Sequence, residues 1–321
     1  MPLIDKPLKE LKEYQGINPK PEDFDAYWER ALNEMKETDP QLEITPAQVQ
    51  IPGTKCYDMY FNGTRGGRVY CKLLKPEKME GKAPALLNFH GYSGSSGDWL
   101  TFAAYAQMGF VVAAMDCRGQ GGKSSDKNPV EGNTYHGQII RGLDDPDPDN
   151  LYFRQVFLDT AMLAEIIASF DDVDENRMGA WGGSQGGALT VACACLSSKI
   201  KLAAPQFPFL TDYKRVWEMD MAERAYRELK DYFRRFDPCH EKEEEVFTKL
   251  GYIDLHHMAD RITAKILFFT GLMDNICPPS TQFAIYNRIQ SEKSMVIYPD
   301  YGHEDLPGSK DKTAVFFSEL L

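Results

Sequence analysis

The chain has 321 residues, of which 43% are hydrophobic and 26% charged, a composition typical of a soluble globular protein with a sizeable core. Its formal net charge of −12 disfavours nucleic acid and anionic membranes as partners, because both would repel an acidic surface. No apolar stretch approaches the length of a membrane span, and the N-terminus lacks the apolar core of a signal peptide. The seven cysteines include no C-x-x-C pair, so we expect a reduced, cytoplasmic protein.

The first predicted element is a helix at residues 21–37, within an N-terminal helical extension at residues 1–50. Four large apolar side chains recur there at helical spacing and share one face, namely Phe24, Trp28, Leu32 and Met35. Residues 55–74 then contain two short strand patterns around a glycine-rich turn, which predicts a hairpin.

From residue 83 onward, short apolar runs alternate with segments of helical length. The runs are ALLNFHG, FVVAAMDCRG, RMGAWGG, LAAPQFP, KILFFTG and SMVIYPD, and one intervening helix is predicted at residues 153–170. Apolar runs without alternation are typical of strands that are covered on both faces. Strands that alternate with helices indicate an α/β fold with a largely parallel sheet.

Two segments interrupt this alternation. Residues 123–150 are polar and rich in glycine, aspartate and proline, whereas residues from about 205 to 260 have a helical pattern. Insertions between strands commonly lie over the functional edge of a sheet, as lids or interfaces. We interpret both as insertions within a single domain that spans residues 1–321.

The segment RMGAWGGSQGGALTVACA, at residues 177–194, contains the pattern G-x-S-x-G around Ser184. A strand candidate precedes Ser184 and a helix candidate follows it, which is the context of the nucleophile elbow of α/β-hydrolases. Strand and helix nearly collide at such a turn, and Gly182, Gly186 and Gly187 provide the room. The alternative interpretation is a glycine-rich turn that packs a helix and does no chemistry.

A serine nucleophile needs a base, and in this fold the order along the chain is Ser, then Asp or Glu, then His. His90 and His136 precede Ser184 and fail that order. Three further histidines fall in the helical insertion: His240, His256 and His257. The last two are adjacent and cannot face one site from a helix, which favours surface or capping roles for them. His303 follows the last predicted strand, so we expect it to be the base.

The acid that orients the histidine should follow the preceding strand. Asp274 lies three residues beyond Gly271, at the end of the run KILFFTG. Asp300 is a rival, but it lies only three residues before His303 and is more suited to capping a turn. Asp260 precedes its strand and therefore lies at the wrong end of the sheet. We expect Asp274 to orient His303.

The oxyanion of an acyl-transfer intermediate needs two backbone N–H donors already in place. One should be the amide that follows the nucleophile, at Gln185, and the other should come from the loop NFHGYSGSSGDW. His90 and Gly91 turn the chain tightly in that loop, and Tyr92 is the best donor candidate. For His90 itself we expect hydrogen bonds that brace its own loop rather than a catalytic role.

Three motifs, in this order, carry a specific resemblance: RGQGG at 118–122, GGSQGG at 182–187 and GHE at 302–304. Together they resemble carbohydrate esterase family seven, the acetyl xylan esterases and cephalosporin-C deacetylases. The segments FHGY, GLMDNICPPST and YFRRFDP extend the likeness over nearly the whole chain.

The resemblance implies an α/β-hydrolase fold and a deacetylase of small acetylated sugars and cephalosporins that uses no cofactor. By motif position it implies the site already reached from the residues, with Ser184, Asp274 and His303 as triad and Tyr92 and Gln185 as oxyanion donors. It further implies supporting roles for Arg118 and Gln120 close beneath the site. It also implies a ring-like homohexamer whose active sites face an internal space.

Other functions share parts of this pattern. A serine peptidase of the prolyl-oligopeptidase type has the same triad order, but such enzymes usually carry a large extra domain for which this chain has no room. A non-catalytic binding module on the same fold typically lacks the serine or the histidine, and both are present here. No ligand spacing among the histidines and cysteines indicates a metal site, so we predict none.

Overall fold

The structure is a computed structural model that describes residues 4–132 and 138–321. Nine strands build its central sheet: β1 (Glu43–Pro46), β2 (Thr54–Asn62), β3 (Arg68–Pro76), β4 (Ala83–Phe89), β5 (Val111–Met115), β6 (Val173–Gly183), β7 (Ile200–Gln206), β8 (Lys265–Gly271) and β9 (Lys293–Tyr298). The sheet order is β1-β2-β3-β5-β4-β6-β7-β8-β9. Strands β1, β2 and β3 are antiparallel to their neighbours, and the six strands β4 to β9 are parallel to one another. The largely parallel sheet and all six predicted strands are therefore confirmed.

The described residues also form ten α-helices. They are α1 (Leu8–Leu11), α2 (Phe24–Glu37), α3 (Leu100–Gln107), α4 (Tyr152–Ala168), α5 (Gln185–Leu196), α6 (Tyr213–Glu218), α7 (Arg227–Phe236), α8 (Glu243–Leu250), α9 (Pro279–Arg288) and α10 (Ser309–Phe317). Short 3₁₀ turns connect several of them. Among these helices none is long and apolar enough to cross a bilayer.

Both faces of the inner parallel strands are buried, which explains why their sequences are apolar without alternation. Leu87 of β4 and Ala113 of β5 belong to a core that includes α4 and α5. The neighbouring Leu86 and Val112 point to the opposite face and belong to a core that includes α3 and α10. Successive side chains of a strand alternate between faces, so only a sheet covered on both sides buries every one of them.

The N-terminal extension packs on the first of these helical layers. The predicted apolar face of α2 is confirmed, since Phe24 and Trp28 are fully buried and the Trp28 ring stacks on Phe157 of α4 at 6.1 Å. The hairpin is also confirmed, with β2 and β3 paired from Thr54 opposite Pro76 onward. The extension additionally contributes β1 to the sheet, a strand that the sequence pattern did not predict.

The helical insertion lies between β7 and β8 and contains α6, α7 and α8. The polar insertion lies between β5 and α4, and part of it, including His136, falls outside the described residues. Both insertions leave the sheet at the carboxyl ends of parallel strands, the edge at which α/β folds bind ligands. The single-domain assignment over residues 1–321 stays a prediction.

Candidate functional site

Ser184 lies at the sharp turn between β6 and α5, where the sequence predicts a nucleophile elbow. Its backbone has φ 58° and ψ −120°, a conformation that side-chain-bearing residues rarely adopt. The turn is held by the Ser184 N–H, which donates to the Gln206 carbonyl at 3.0 Å. This geometry is that of a strained elbow, which leaves the serine hydroxyl at the carboxyl end of the sheet.

The glycines around Ser184 are required by the close approach of β4, β6, β7 and α5. A Cβ atom on Gly182 would lie 2.5 Å from the Phe89 carbonyl oxygen, and one on Gly187 would lie 2.5 Å from the Gln206 carbonyl oxygen. Real Cβ atoms do not approach backbone this closely. Only glycine therefore fits at these positions without displacing a strand.

Ser184, His303 and Asp274 form a continuous hydrogen-bonded chain. His303 Nε2 lies 2.9 Å from Ser184 Oγ, and His303 Nδ1 lies 2.8 Å from Asp274 Oδ2. The partners assign the tautomer: Nδ1 carries the proton that is donated to the carboxylate, and Nε2 is free to accept from the hydroxyl. The three residues are 90 and 29 positions apart in sequence, yet the fold brings them within contact, as the motif order predicts.

The Asp274 carboxylate is completely buried and is held by N–H groups of its own loop. The N–H groups of Ile276 and Cys277 donate to Oδ1 at 2.9 Å and 2.8 Å, and the Gln282 side-chain amide lies 3.4 Å from Oδ2. These donors fix the carboxylate in the orientation in which Oδ2 faces the imidazole. The rival Asp300 is exposed to solvent, as is Asp260.

The two predicted oxyanion donors lie on either side of Gln120. The Gln120 side-chain oxygen accepts from the N–H of Ser93 at 2.9 Å, directly after Tyr92. The side-chain amides of Gln120 and Gln185 also pair with each other: Gln120 Nε2 donates to Gln185 Oε1 at 2.8 Å, and Gln185 Nε2 donates to Gln120 Oε1 at 3.0 Å. Within the described part of the chain, the N–H groups of Tyr92 and Gln185 donate to no other protein group. Both are therefore free to bind a ligand oxygen.

Arg118 lies beneath this arrangement and is completely buried. Its Nε and one terminal nitrogen form a two-point ion pair with Asp159 of α4, at 2.7 Å and 2.5 Å. Another nitrogen donates to the Thr64 carbonyl in the β2–β3 turn at 2.9 Å. Arg118 therefore joins the hairpin to α4, and its supporting role for the site stays a prediction.

A model of the acetyl xylan esterase (AXE1) family matches residues 1–320. The chain belongs to the acetyl xylan esterase family. It is 54% identical to acetyl xylan esterase 1 from Thermoanaerobacterium sp. JW/SL YS485, whose crystal structure matches with a TM-score of 0.97 over 99% of both chains. The acetyl xylan esterase from Paenibacillus sp. R4 is 35% identical, with a TM-score of 0.93 over 98% of this chain and 100% of that one.

A more distant relative is the acetyl esterase Axe7A of Xylanibacter ruminicola, which is 29% identical over 291 residues, or 88% of this chain. This chain spans 63% of the length of that relative. The family predicted from the three motifs is thus confirmed, and so is the α/β-hydrolase fold. The acetyl xylan esterase family is a family of carboxylic ester hydrolases.

Three other histidines of the described residues, His90, His256 and His257, are buried, and one prediction about them is corrected. His90 braces its own loop as predicted, since its Nδ1 contacts the Gly91 carbonyl at 2.7 Å and its Nε2 accepts from the Cys117 N–H at 2.9 Å. The prediction of surface or capping roles for His256 and His257 was wrong, because both side chains are buried. They follow one another in a short 3₁₀ turn, and their ring centroids lie 3.9 Å apart.

The same two histidines form a cluster with Asp254 that sequence spacing did not indicate. Donor atoms of all three residues lie within 4.8 Å of one another. His256 Nδ1 contacts Asp254 Oδ1 at 2.6 Å, while its Nε2 faces the backbone of Gly16, where an added Cβ would lie 2.7 Å away. That close packing leaves the Nε2 side filled by chain, so we assign this cluster no ligand.

Two residues at the site were missed by the sequence reasoning. Cys277 lies beside Ser184 and Asp274, and burial raises the pKa of its thiol well above the ordinary range, so the group stays neutral. The Phe207 ring packs against His303 with centroids 4.4 Å apart. Position in the motif GLMDNICPPST was the available signal for Cys277, whereas nothing in the sequence around Phe207 distinguished it from a core residue.

Proposed function

We propose that this protein is a serine carboxylesterase that removes O-acetyl groups from small acetylated sugars, such as xylo-oligosaccharides, and from cephalosporin C. The observation that carries the proposal is the hydrogen-bonded chain from Ser184 through His303 to Asp274, with steps of 2.9 Å and 2.8 Å. Membership of the acetyl xylan esterase family supports an acetyl ester as the substrate class.

In the first half of the reaction, His303 Nε2 takes the proton of the Ser184 hydroxyl while Oγ attacks the acetyl carbonyl carbon. The negative charge that develops on the carbonyl oxygen is stabilised by the free N–H groups of Tyr92 and Gln185. When the tetrahedral intermediate collapses, the bond from carbon to the sugar oxygen breaks. His303 gives its proton to that oxygen, the sugar alcohol leaves, and Ser184 carries the acetyl group.

In the second half, water replaces the sugar. His303 Nε2 takes a proton from the water as its oxygen attacks the acetyl carbon, and the same two N–H groups stabilise the second oxyanion. The bond to Ser184 Oγ breaks, Oγ recovers the proton from His303, and acetate leaves. Asp274 remains ionised throughout, because its function is to fix the tautomer and to stabilise the transient imidazolium. All of the proton transfers are carried out by protein groups, so the mechanism requires no cofactor or metal.

We also retain the proposals that the protein acts in the cytoplasm and assembles as a ring-like homohexamer with enclosed active sites. An enclosed site supports short acetylated fragments rather than polymeric xylan as substrates. The net charge of −12 is consistent with neutral sugars as ligands and disfavours polyanions.

The proposal is tested with purified protein on a panel of esters and amides. We expect release of acetate from 4-nitrophenyl acetate, acetylated xylo-oligosaccharides and cephalosporin C, and no cleavage of an aminoacyl-proline amide. The Ser184→Ala variant is the control for contaminating esterases. Cleavage of the amide in preference to every acetyl ester would favour the peptidase alternative instead.

A further inference from the structure

The side chain of Tyr92 ties the loop after β4 to both insertions. Its hydroxyl donates a hydrogen bond to the carboxylate of Glu228 on α7, and the same hydroxyl accepts a hydrogen bond from the N–H of Gln138 at 3.2 Å. Its ring packs edge to face on Phe209, with centroids 5.4 Å apart. The residue that offers a free backbone N–H beside Ser184 is therefore fixed by its side chain to elements that lie outside the central sheet.

Glu228 is an unusual residue for this position. Its side chain is 2% exposed, and among the described residues it forms no ion pair with lysine or arginine. Burying a carboxylate without a cation is costly, and an apolar residue would pack there at lower cost. The carboxylate is instead satisfied by hydrogen-bond donors from two segments: the Tyr92 hydroxyl, and the Ile140 N–H at 3.0 Å.

The backbone of the same loop is held from the opposite direction by Gln120. Because Gln120 accepts from the N–H of Ser93 and pairs with the Gln185 side chain, it fixes the peptide that follows Tyr92. Glu228 fixes the side chain of Tyr92 itself. The two contacts together restrict the direction in which the Tyr92 N–H points.

We propose that Glu228 is a positioning residue for the oxyanion hole, which it holds in place through the Tyr92 hydroxyl. The helical insertion thereby contributes to transition-state stabilisation, because it carries Glu228. This inference rests on the proposed function, in which the Tyr92 N–H binds the oxyanion. Since the contact acts on the transition state rather than on the bound ester, its loss should lower kcat and leave KM almost unchanged.

The test is a double-mutant cycle with Glu228→Gln and Tyr92→Phe, assayed on 4-nitrophenyl acetate. Glu228→Gln keeps the shape of the side chain but leaves only one acceptor oxygen, so it cannot accept from both the Tyr92 hydroxyl and the Ile140 N–H. Tyr92→Phe keeps the ring and the backbone N–H and removes the hydroxyl. Each change should lower kcat by about tenfold, less than the roughly 10²-fold loss expected when a donor is removed outright. The double variant should be no slower than the slower single variant, because both changes break the same link.

Tyr232→Phe is the matched control. Tyr232 lies one turn after Glu228 on α7, and its hydroxyl donates to Asp144 in the polar insertion at 2.7 Å. The variant removes another tyrosine–carboxylate contact of the same helix, one that joins α7 to the polar insertion, and it touches no residue of the loop after β4. Its kcat should match that of the wild type, and thermal unfolding of all variants reports whether they are folded.

The outcomes separate the two levels of the proposal. A wild-type protein without acetyl esterase activity would overturn the proposed function and, with it, this inference. An active wild type whose Tyr92→Phe variant keeps its full kcat would overturn the inference alone. Fully additive losses in the cycle, or an equal loss in Tyr232→Phe, would also overturn it. If Glu228→Gln does not fold, the kcat of Tyr92→Phe relative to that of Tyr232→Phe decides whether the inference holds.

Discussion

A Cβ atom placed on Gly186 would lie 2.0 Å from the carbonyl oxygen of Phe89, at the point where α5 crosses the end of β4. Gly186→Ala should therefore push the helix and the loop after β4 apart and displace the groups around Ser184. We expect esterase kcat to fall by about 10²-fold, since a displacement of about 1 Å at a reacting centre has this effect. The melting temperature should fall as well.

Gly183→Ala is the control for this prediction, because it lies in the same turn. A Cβ atom at Gly183 would lie 3.5 Å from the Phe207 ring, which is an ordinary van der Waals distance. The variant should unfold at nearly the wild-type temperature. Equal melting temperatures and rates for the two alanine variants would contradict the steric account of the elbow.

The proposed triad predicts a ranking of variants. Ser184→Ala and His303→Ala should each lower kcat by about 10⁴-fold or more, and the double variant should lose little beyond that, because triad members act as a unit. Asp274→Asn should retain more activity than either. Asp300→Asn should behave as the wild type, since Asp300 is exposed and lies outside the hydrogen-bonded chain. A greater loss of kcat in Asp300→Asn than in Asp274→Asn would show that Asp300 is the acid that orients His303.

The buried Glu228 predicts a specific dependence of stability on pH. Burial raises the pKa of its carboxyl from 4.5 to about 7 in the folded protein. Between these values the folded protein keeps a proton that the unfolded chain has lost. The contribution of Glu228 to the free energy of unfolding is therefore full below pH 4.5, and it is lost as the pH rises through about 7.

Glu228→Gln carries no such titration and provides the reference. The free energy of unfolding of the wild type, relative to this variant, should fall as the pH rises from about 5 through about 7 and level off above about 8. Urea unfolding of both proteins at several pH values measures this difference. A difference that is flat over the whole range, or that rises with pH, would show that Glu228 has no raised pKa in the folded state.

The serine mechanism predicts that chelators have no effect on the rate. The triad and the two N–H donors supply every proton transfer and the oxyanion binding, so no Lewis acid is required. Treatment with EDTA followed by dialysis should leave kcat and KM for 4-nitrophenyl acetate unchanged. A loss that zinc restores would point to metal-assisted hydrolysis, and substitution of His256 would then show whether its cluster with Asp254 and His257 is responsible.

We further propose that the acyl pocket beside Ser184 is tight. Together with the proposed ring, such a pocket predicts two selectivities. Acetyl esters should be cleaved faster than butyryl esters, because additional methylenes would displace packed walls that cannot easily relax. Acetylated xylo-oligosaccharides should be better substrates than acetylated polymeric xylan, because a polymer cannot enter an enclosed space. Light scattering gives the mass, and rates on matched short and long acetylated xylans give the second selectivity. A monomer that prefers octanoyl esters or intact polymer would contradict both halves.

Local sequence patterns were sufficient to predict a structural element wherever the backbone imposes a period on the side chains or a limit on their size. The parallel strands were predicted because burial on two faces requires apolar residues at every position, as Leu86 and Leu87 illustrate. The elbow was predicted because glycine is needed where a strand and a helix nearly touch. The order of Ser184, Asp274 and His303 followed from the same topology, since the carboxyl ends of parallel strands meet at one edge.

Other parts of the site depend on contacts between segments that are far apart in sequence. Glu228 lies in the polar stretch RELKDYFRRF, where a glutamate is expected to face solvent, and only the packing of α7 against the loops that carry Tyr92 and Ile140 buries it. His256 and His257 are neighbours in sequence, but only the folded structure buries both rings beside Asp254.

The sequence by itself therefore determined the hairpin, the parallel strands, the elbow and the members of the candidate triad, because periodicity and steric crowding depend on residues that are near one another in sequence. Only the tertiary structure decided which partners the buried charged side chains of Arg118 and Glu228 have. Arg118 meets Asp159 and Glu228 meets Tyr92 across 41 and 136 positions of chain. The free energy of such pairs depends on burial and on the partners within about 4 Å, and no local pattern records either of these quantities.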